Sequence, residues 1–469
     1  MVRPMLHRTL TARSLIVVLP ALLAACSLGP DYKSPDLPTP AAWRNPPAQQ
    51  TELWPSADWW QGFGSPQLDR YIADAESANN DLAAAMARVR QADAQARIAG
   101  APLLPSVGLS AEAIHARQPS ARTGRMETGT SYSPGLTASY ELDFWGKNAA
   151  AARAAEQTLQ ASRYDQVTVS LTVMTGVATT YFHTIELRDR VAVAESNLAT
   201  AKQTLDGLRR QQHAGIVNAL DVAQQETVVA NLDAAVPPLR EQLGQSLDAL
   251  AILVGKTPEQ LETGPETLAQ MSHPEVRPGL PSALLARRPD VANAEAQLIA
   301  ANANIQVARA AFFPSIDLTA QGGFISSALS DVLKPSSAIY TLTAGLTQPI
   351  FEGGALEGQF DLAQARYDEL LADYKKSVLS AFGNVEDALI AVQQTTDQEQ
   401  REAQAVATAR RAYDFARKQM QAGTINILTV LNTETALFSA QDALVQAKSA
   451  HLQALVDLFG ALGGGWQKA

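Results

Sequence analysis

The stretch from 147 to 212 holds 66 residues without a proline, and apolar side chains recur along it at helical spacing. As one helix rising about 1.5 Å per residue it would be roughly 100 Å long. No single globular core is that wide, so such a helix persists only in a coiled coil or a bundle with sustained seams. The chain contains this feature twice. A second proline-free helical pattern runs from Gln359 to Gln421, and "HAGIVNALDVAQQET" from His213 is echoed by "QAGTINILTVLNTET" from Gln421, an offset of 208.

The echo extends over nearly the whole chain. "GAPLLPSVGLSA" from Gly100 pairs with "RAAFFPSIDLTA" from Arg309, and "ELDFWGK" from Glu141 pairs with "TQPIFEGG" from Thr347. Gly215 pairs with Gly423, and Gly255 with Gly460. Each half reads helix, strand, strand, very long helix, tip, returning helix. A period this long is outside the range of solenoid repeats, so the chain reads as a duplicated half-protein. The returning helices restart near Ala219 and Ile427. Pro237-Pro238 is expected to end or kink the first of them, and the second has no such break.

Four strands alternate with period two. Val107, Leu109, Ala111 and Ala113 oppose Ser106, Gly108, Ser110 and Glu112, and Tyr132, Leu136, Ala138 and Tyr140 oppose Ser133, Thr137, Ser139 and Glu141. Ile316, Leu318 and Ala320 oppose Ser315, Asp317 and Thr319, and Tyr340, Leu342 and Leu346 oppose Thr341, Thr343 and Thr347. A half-buried soluble sheet gives the same alternation. Strand lengths near 10 residues and polar links at 116–130 and 326–338 favour a transmembrane barrel. Open sheet edges cannot rest in hydrocarbon, and four strands cannot close, so on that reading two, three or more chains contribute four strands each.

The amino terminus reads as a secretion signal. Arg3, Arg8 and Arg13 precede an apolar run from Leu15 to Leu23, and Ala24-Ala25 supplies a small-residue cleavage context. The run is too short to span a bilayer as a helix. Cys26 is the only cysteine and follows directly in "LAAC", the pattern of a lipobox, so lipid attachment at Cys26 is expected. Ser27 after it favours the outer membrane. The expected divisions are residues 1–25 signal peptide, 26–65 a lipidated arm, 66–255 the first repeat, 256–281 a proline-rich connector, 282–460 the second repeat and 461–469 a tail. The full chain carries a formal charge of −10 and no Lys/Arg run, which makes nucleic acid an unsuitable partner.

With these residues in view, the chain resembles the TolC-like outer-membrane efflux channels, in the NodT-type lipoprotein branch that serves resistance-nodulation-division pumps. "CSLGPDYKSP" from Cys26, "WWQGFGSPQLDRYIADAESANNDLAAAMARV" from Trp59, "VPPLREQLGQSLDALAILVG" from Val236 and "GLPSALLARRPDVANAEAQLIAANANIQVARAAFFPSIDL" from Gly279 carry the match. The resemblance implies a mostly α protein with transmembrane β. Its homotrimer has a 12-stranded β-barrel in the outer membrane and a 12-helix periplasmic tunnel, and works with a periplasmic adaptor and an inner-membrane pump. It further implies that the tips, with Gly215, Leu220, Asp221, Gly423 and Thr429, meet the adaptor. The second hairpin then closes the entrance through Leu428 and Asn432. The family commonly carries Asp where this chain has Asn432. Three Asn neither repel one another nor attract cations as three carboxylates do. The acidic role is therefore expected to be absent or moved to Glu434 or Asp414.

Competing readings remain at this stage. An enzyme is disfavoured because there is no HExxH, GxSxG or phosphate-binding lysine, and "FEGGALEG" from Phe351 reads as a strand-to-helix turn. A structural lipoprotein explains the helices and Cys26 but not the strands. Within the family, a type I secretion exit or a metal-efflux channel would look the same. His115, His183, His213, His273 and His451 lie far apart in sequence, so no cofactor and no metal site are expected. Drugs and other small organic compounds are the expected cargo.

Overall fold

A computed structural model describes residues 32–44, 52–119 and 124–468. The signal segment and Cys26 lie outside these residues. The main helices are α1 (Pro66–Ala78), α2 (Asn80–Gly100), α3 (Lys147–His213), α4 (Ala219–Leu253), α5 (Pro281–Leu284), α6 (Pro289–Ala310), α7 (Ala355–Gln421) and α8 (Ile427–Ala461). The strands are β1 (Ser106–Pro119), β2 (Met126–Glu141), β3 (Ser315–Phe324) and β4 (Ala338–Thr347). Both α3 and α7 have 67 residues, and both α4 and α8 have 35. All four of their boundaries repeat at an offset of 208, so the duplication is kept to the residue along both hairpins.

That register corrects one expected pairing. Gly255 corresponds to Gly463 rather than Gly460; both have positive φ, at 71° and 87°. A Cβ on Gly255 would sit 2.3 Å from the Ala78 carbonyl oxygen, and one on Gly463 would sit 1.9 Å from that of Arg287. Each returning helix thus ends where only glycine lets another backbone pass.

At Pro237-Pro238 the helix does not end, and α4 runs on through both prolines. Two prolines remove only the amide donors to the carbonyls of Asp233 and Ala234. Residues 233, 234, 237 and 238 are all exposed, so water can take up the freed carbonyls, while Val236 stays buried and anchors the turn.

The chain divides into two compact units, one holding the strands and the adjoining helix ends, the other the remaining helices and the connector. In the strand unit, β1, β2, β3 and β4 pair in sequence order, all antiparallel. β1 and β2 extend into the expected polar link, with Ala116 opposite Gly129 and Pro119 opposite Met126. The register turns four alternating strands into two chemically distinct faces. Val107, Ala138, Ala320 and Leu342 form one cross-strand row, while Ser106, Ser139, Thr319 and Thr343 form a row on the opposite face. Val107, Leu109, Leu136, Leu342 and Leu346 are exposed, so among the described residues nothing covers the apolar face. At the strand-to-helix junction the Asp143 carboxylate accepts from the backbone N–H groups of Asn148 (2.9 Å) and Ala149 (2.7 Å), capping α3. Gly353 and Gly354, both with positive φ, make the corresponding turn before α7.

In the helical unit, Trp59, Phe63, Phe182, Leu250 and Phe459 are buried in one cluster, with the Trp59 and Phe459 rings stacked at 5.0 Å. Ser65 accepts from the Leu68 N–H (3.0 Å) and Pro66 opens α1, which accounts for the "GSPQL" stretch. Arg288 of "ARRPD" pairs with Asp290 and donates to the Ala461 carbonyl (2.8 Å), fixing the end of α8. Among the described residues, no helix is long and apolar enough to cross a membrane.

The two faces make opposite demands on substitution. Leu342→Lys, on the apolar face, is expected to cost about 2–4 kcal/mol at mid-membrane depth and to lower the yield of folded protein in outer-membrane fractions. Thr343→Lys, one residue away on the polar face, should leave that yield near wild type. Equal losses would contradict the assignment of faces.

Candidate functional site: the hairpin tips and the bundle beneath them

The two reversals use the same backbone device. Gly215 has φ 71° and donates to Gln212 O (2.9 Å), while Ile216 donates to Gln211 O (2.9 Å). Gly423 has φ 70° and donates to Met420 O (3.0 Å), with Thr424 donating to Gln419 O (3.0 Å). This bond pair is the Schellman closure, which needs the left-handed residue that glycine supplies. Each returning helix is then capped by an asparagine. Asn218 accepts from Asp221 N–H, and the Asp221 carboxylate answers from the Asn218 N–H in a capping box. Asn426 accepts from the N–H (3.3 Å) and hydroxyl (3.2 Å) of Thr429, but no acid closes the second box.

Asp221 and Thr429, expected as contact residues, are therefore also the third helical residues of their caps. Leu220 and Leu428 have no such local role. Leu220 is 64% exposed, Leu428 45% and Ile216 72%, so both tips present apolar side chains to their surroundings. Behind them the hairpins share one core, with Leu205, Leu208 and Val222 packed with Tyr413, Ile427, Val430 and Leu431. Asn432 is exposed, one turn from Leu428 on the same side of α8. Asp414 is exposed on α7.

Glu434 departs from expectation. It is fully buried, so it presents no charge to an entrance. Its carboxylate accepts from Thr204 Oγ1 (3.3 Å) on α3, Gln225 Nε2 (3.5 Å) on α4 and Tyr413 OH (3.3 Å) on α7. One acid on α8 thereby touches all three other long helices. Burial raises its pKa above the ordinary glutamate range, and the three hydrogen bonds only partly oppose the shift. Tyr413 is raised by the same burial and by the adjacent carboxylate.

A second group escaped the sequence reading entirely. Among the described residues, His273, Glu399 and His451 bring three possible ligand atoms within 4.8 Å of one another. The expectation that the histidines form no cluster is thus incorrect. Connector, α7 and α8 each supply one member, so no spacing in the sequence announces the group.

Among the described residues, an uncovered apolar sheet face and two unpaired sheet edges, with duplicated hairpins of this length, define the class of channel-forming outer-membrane proteins that close by assembly. The comparisons agree. The model of the outer membrane efflux protein family matches residues 71–256 and 280–464. The chain belongs to this family. It is 41% identical over 453 residues to the pyoverdine export outer membrane protein OpmQ of Pseudomonas aeruginosa, covering 95% of each chain. It is 31% identical over 452 residues to the cation efflux system protein CusC of Escherichia coli, covering 95% of this chain and 97% of that one. The crystal structure of the CmeC outer membrane channel of Campylobacter jejuni superposes with a TM-score of 0.86 at 26% identity, over 94% of this chain and 96% of that one. Outer-membrane efflux channels are trimers that span the outer membrane, extend into the periplasm and work with a periplasmic adaptor and an inner-membrane pump. Three copies of this chain supply twelve strands and twelve long helices. Family members are transport ducts, which replaces the structural-lipoprotein alternative.

The buried Glu434 sets a pH dependence with a definite sign. Its folded pKa is raised, so the folded state keeps the proton at pH values where the unfolded chain has lost it. Stability therefore falls as pH rises from the ordinary glutamate range through the raised value. The wild-type trimer is expected to melt higher at pH 5 than at pH 8 by more than Glu434→Gln does, which removes the charge and keeps the shape. Identical pH dependence in both proteins would contradict the assignment.

Proposed function

We propose that the chain is the exit duct for an organic metabolite of the kind its OpmQ relatives export, with drugs as further cargo, and that it moves these compounds without transforming them. The observation that carries this reading is the 41% identity to a pyoverdine exporter over 95% of both chains, against 31% to CusC. Energy comes from the inner-membrane pump. Cys26 carries the lipid that anchors the arm. The exposed Ile216 and Leu220, with Leu428 and Thr429, make the adaptor contact, and Gly215 and Gly423 hold the reversals that present them.

Leu428 and Asn432 form the entrance constriction, three copies of each facing the axis. Their common exposure on one side of α8, away from the core of Ile427, Val430 and Leu431, supports this placement. The seal is then apolar packing at Leu428 with amide hydrogen bonding at Asn432. Glu434 takes no part in an acidic ring, because it is buried within its own chain.

Two experiments test these statements. In cells of Pseudomonas aeruginosa lacking OpmQ, this chain with its own adaptor and pump is expected to restore pyoverdine in the medium. Restored tolerance to metal cations in cells lacking CusC, without pyoverdine secretion, would favour cation efflux instead. In planar bilayers, Asn432→Asp should shift the reversal potential toward cations and add block by multivalent cations. An unchanged reversal potential would remove Asn432 from the constriction.

A further inference from the structure

We infer that His273, Glu399 and His451 form a binding site for a first-row divalent transition metal, with zinc as the fitting ion, that fastens the connector to α7 and α8. The inference does not depend on which compound the channel carries. His451 Nδ1 lies 2.7 Å from Glu399 Oε2, and His273 Nε2 lies 3.9 Å from the same oxygen. The two imidazoles stack at 4.5 Å with 12° between their planes. Glu399 and His451 are largely buried, whereas His273 is 41% exposed and borders a groove of about 430 Å³ lined by Val276, Val392, Thr396 and Leu455.

The far side of His451 shows what its near side requires. Thr396 Oγ1 lies 3.1 Å from His451 Nε2 and donates its own proton to the Val392 carbonyl at 2.7 Å. With that proton spent, Thr396 can only accept from the ring, so Nε2 carries the hydrogen and Nδ1 faces the carboxylate. A lone pair cannot rest 2.7 Å from a carboxylate oxygen unless a proton or a cation lies between them. A divalent metal can take that place: the ion gains the Nδ1 lone pair and the carboxylate, and any proton held there leaves to solvent. The Thr396 bond is the outer-shell contact that commonly fixes the ring of a metal-bound histidine.

Two imidazoles and one carboxylate suit zinc, copper or nickel rather than calcium or magnesium. Around zinc, donor atoms stand about 3.2–3.5 Å apart, given bonds near 2.0–2.1 Å. The His451–Glu399 pair, at 2.7 Å, must therefore open by roughly half an ångström, and His273 must close on Glu399 from 3.9 Å by about as much, which its exposed position on the connector leaves room for. Lys448, close to His273, opposes a cation here. Glu275, at the groove edge, is already paired with Arg277. Water fills the fourth position, open to the groove.

The test uses the untagged, chelator-stripped wild-type trimer in detergent, titrated with zinc chloride alone. Calorimetry is expected to give one zinc per chain. Glu399→Gln and His273→Asn, each checked to elute as a trimer, should weaken binding at least 10-fold, and Thr396→Val about 10-fold through the lost outer-shell bond. X-ray absorption at the zinc edge of the loaded wild type should show two imidazole nitrogens and an oxygen ligand. No binding to wild type, or unchanged binding in Glu399→Gln and His273→Asn, would overturn the site. Should neither variant assemble, the wild-type spectrum decides alone, and a ligand set without two imidazoles overturns it.

Discussion

A backbone N–H or C=O without a partner cannot be left in hydrocarbon, and the two edge strands of this sheet carry a full row of them. β1 and β4 lie at the two ends of the order β1-β2-β3-β4, and among the described residues no other strand covers either edge. Each unpaired group in a bilayer core costs several kcal/mol, so a membrane sheet must close. Four strands are too few to close alone. Pairing β1 of one copy with β4 of the next satisfies both edges at once and carries the apolar rows around the whole barrel. Assembly of several copies is thus a requirement of the sheet and not an addition to it, and membership of the family sets their number at three.

The helical hairpins solve a different problem, that of holding very long helices in register without a wide core. Their seams use small and aliphatic side chains near the tips, and one buried acid, Glu434, accepts hydrogen bonds from each of the other three helices. Such a contact is costly to bury and specific in geometry. Removing any partner leaves a carboxylate short of donors, so the set favours one register among the many that an alanine-rich seam allows. The tips are closed by glycine and asparagine with Asp221 and Thr429 completing the caps, which leaves Leu220 and Leu428 free of any role in the turn.

Much of this was legible in the sequence wherever a period is strict. The offset of 208 located both hairpins, and the alternation in the strands separated the two faces before any register was known. Pro237-Pro238 does not end α4, because proline removes only two local donors and the residues whose carbonyls are freed are exposed, while Val236 stays buried. Glu434 could have been found, since Ile427, Val430, Leu431, Glu434, Leu437 and Phe438 form one apolar stripe in which it is the only charged member. The His273, Glu399 and His451 group could not, because its members come from segments 126 and 52 residues apart and meet only through tertiary packing. The two reversals fall at Gly215 and Gly423, where the sequence put them. Sequence did not reveal that Asp221 and Thr429 also complete helix caps.

The central claim is that copies of this chain close one another's sheet edges into a conducting barrel. The most direct measurement is the mass of the detergent-extracted mature protein by light scattering, followed by reconstitution of that same fraction in a planar bilayer. A mass of three chains with discrete channel currents is the predicted result. A monomer or dimer without currents would mean that β1 and β4 are not joined between copies, and the account would fall.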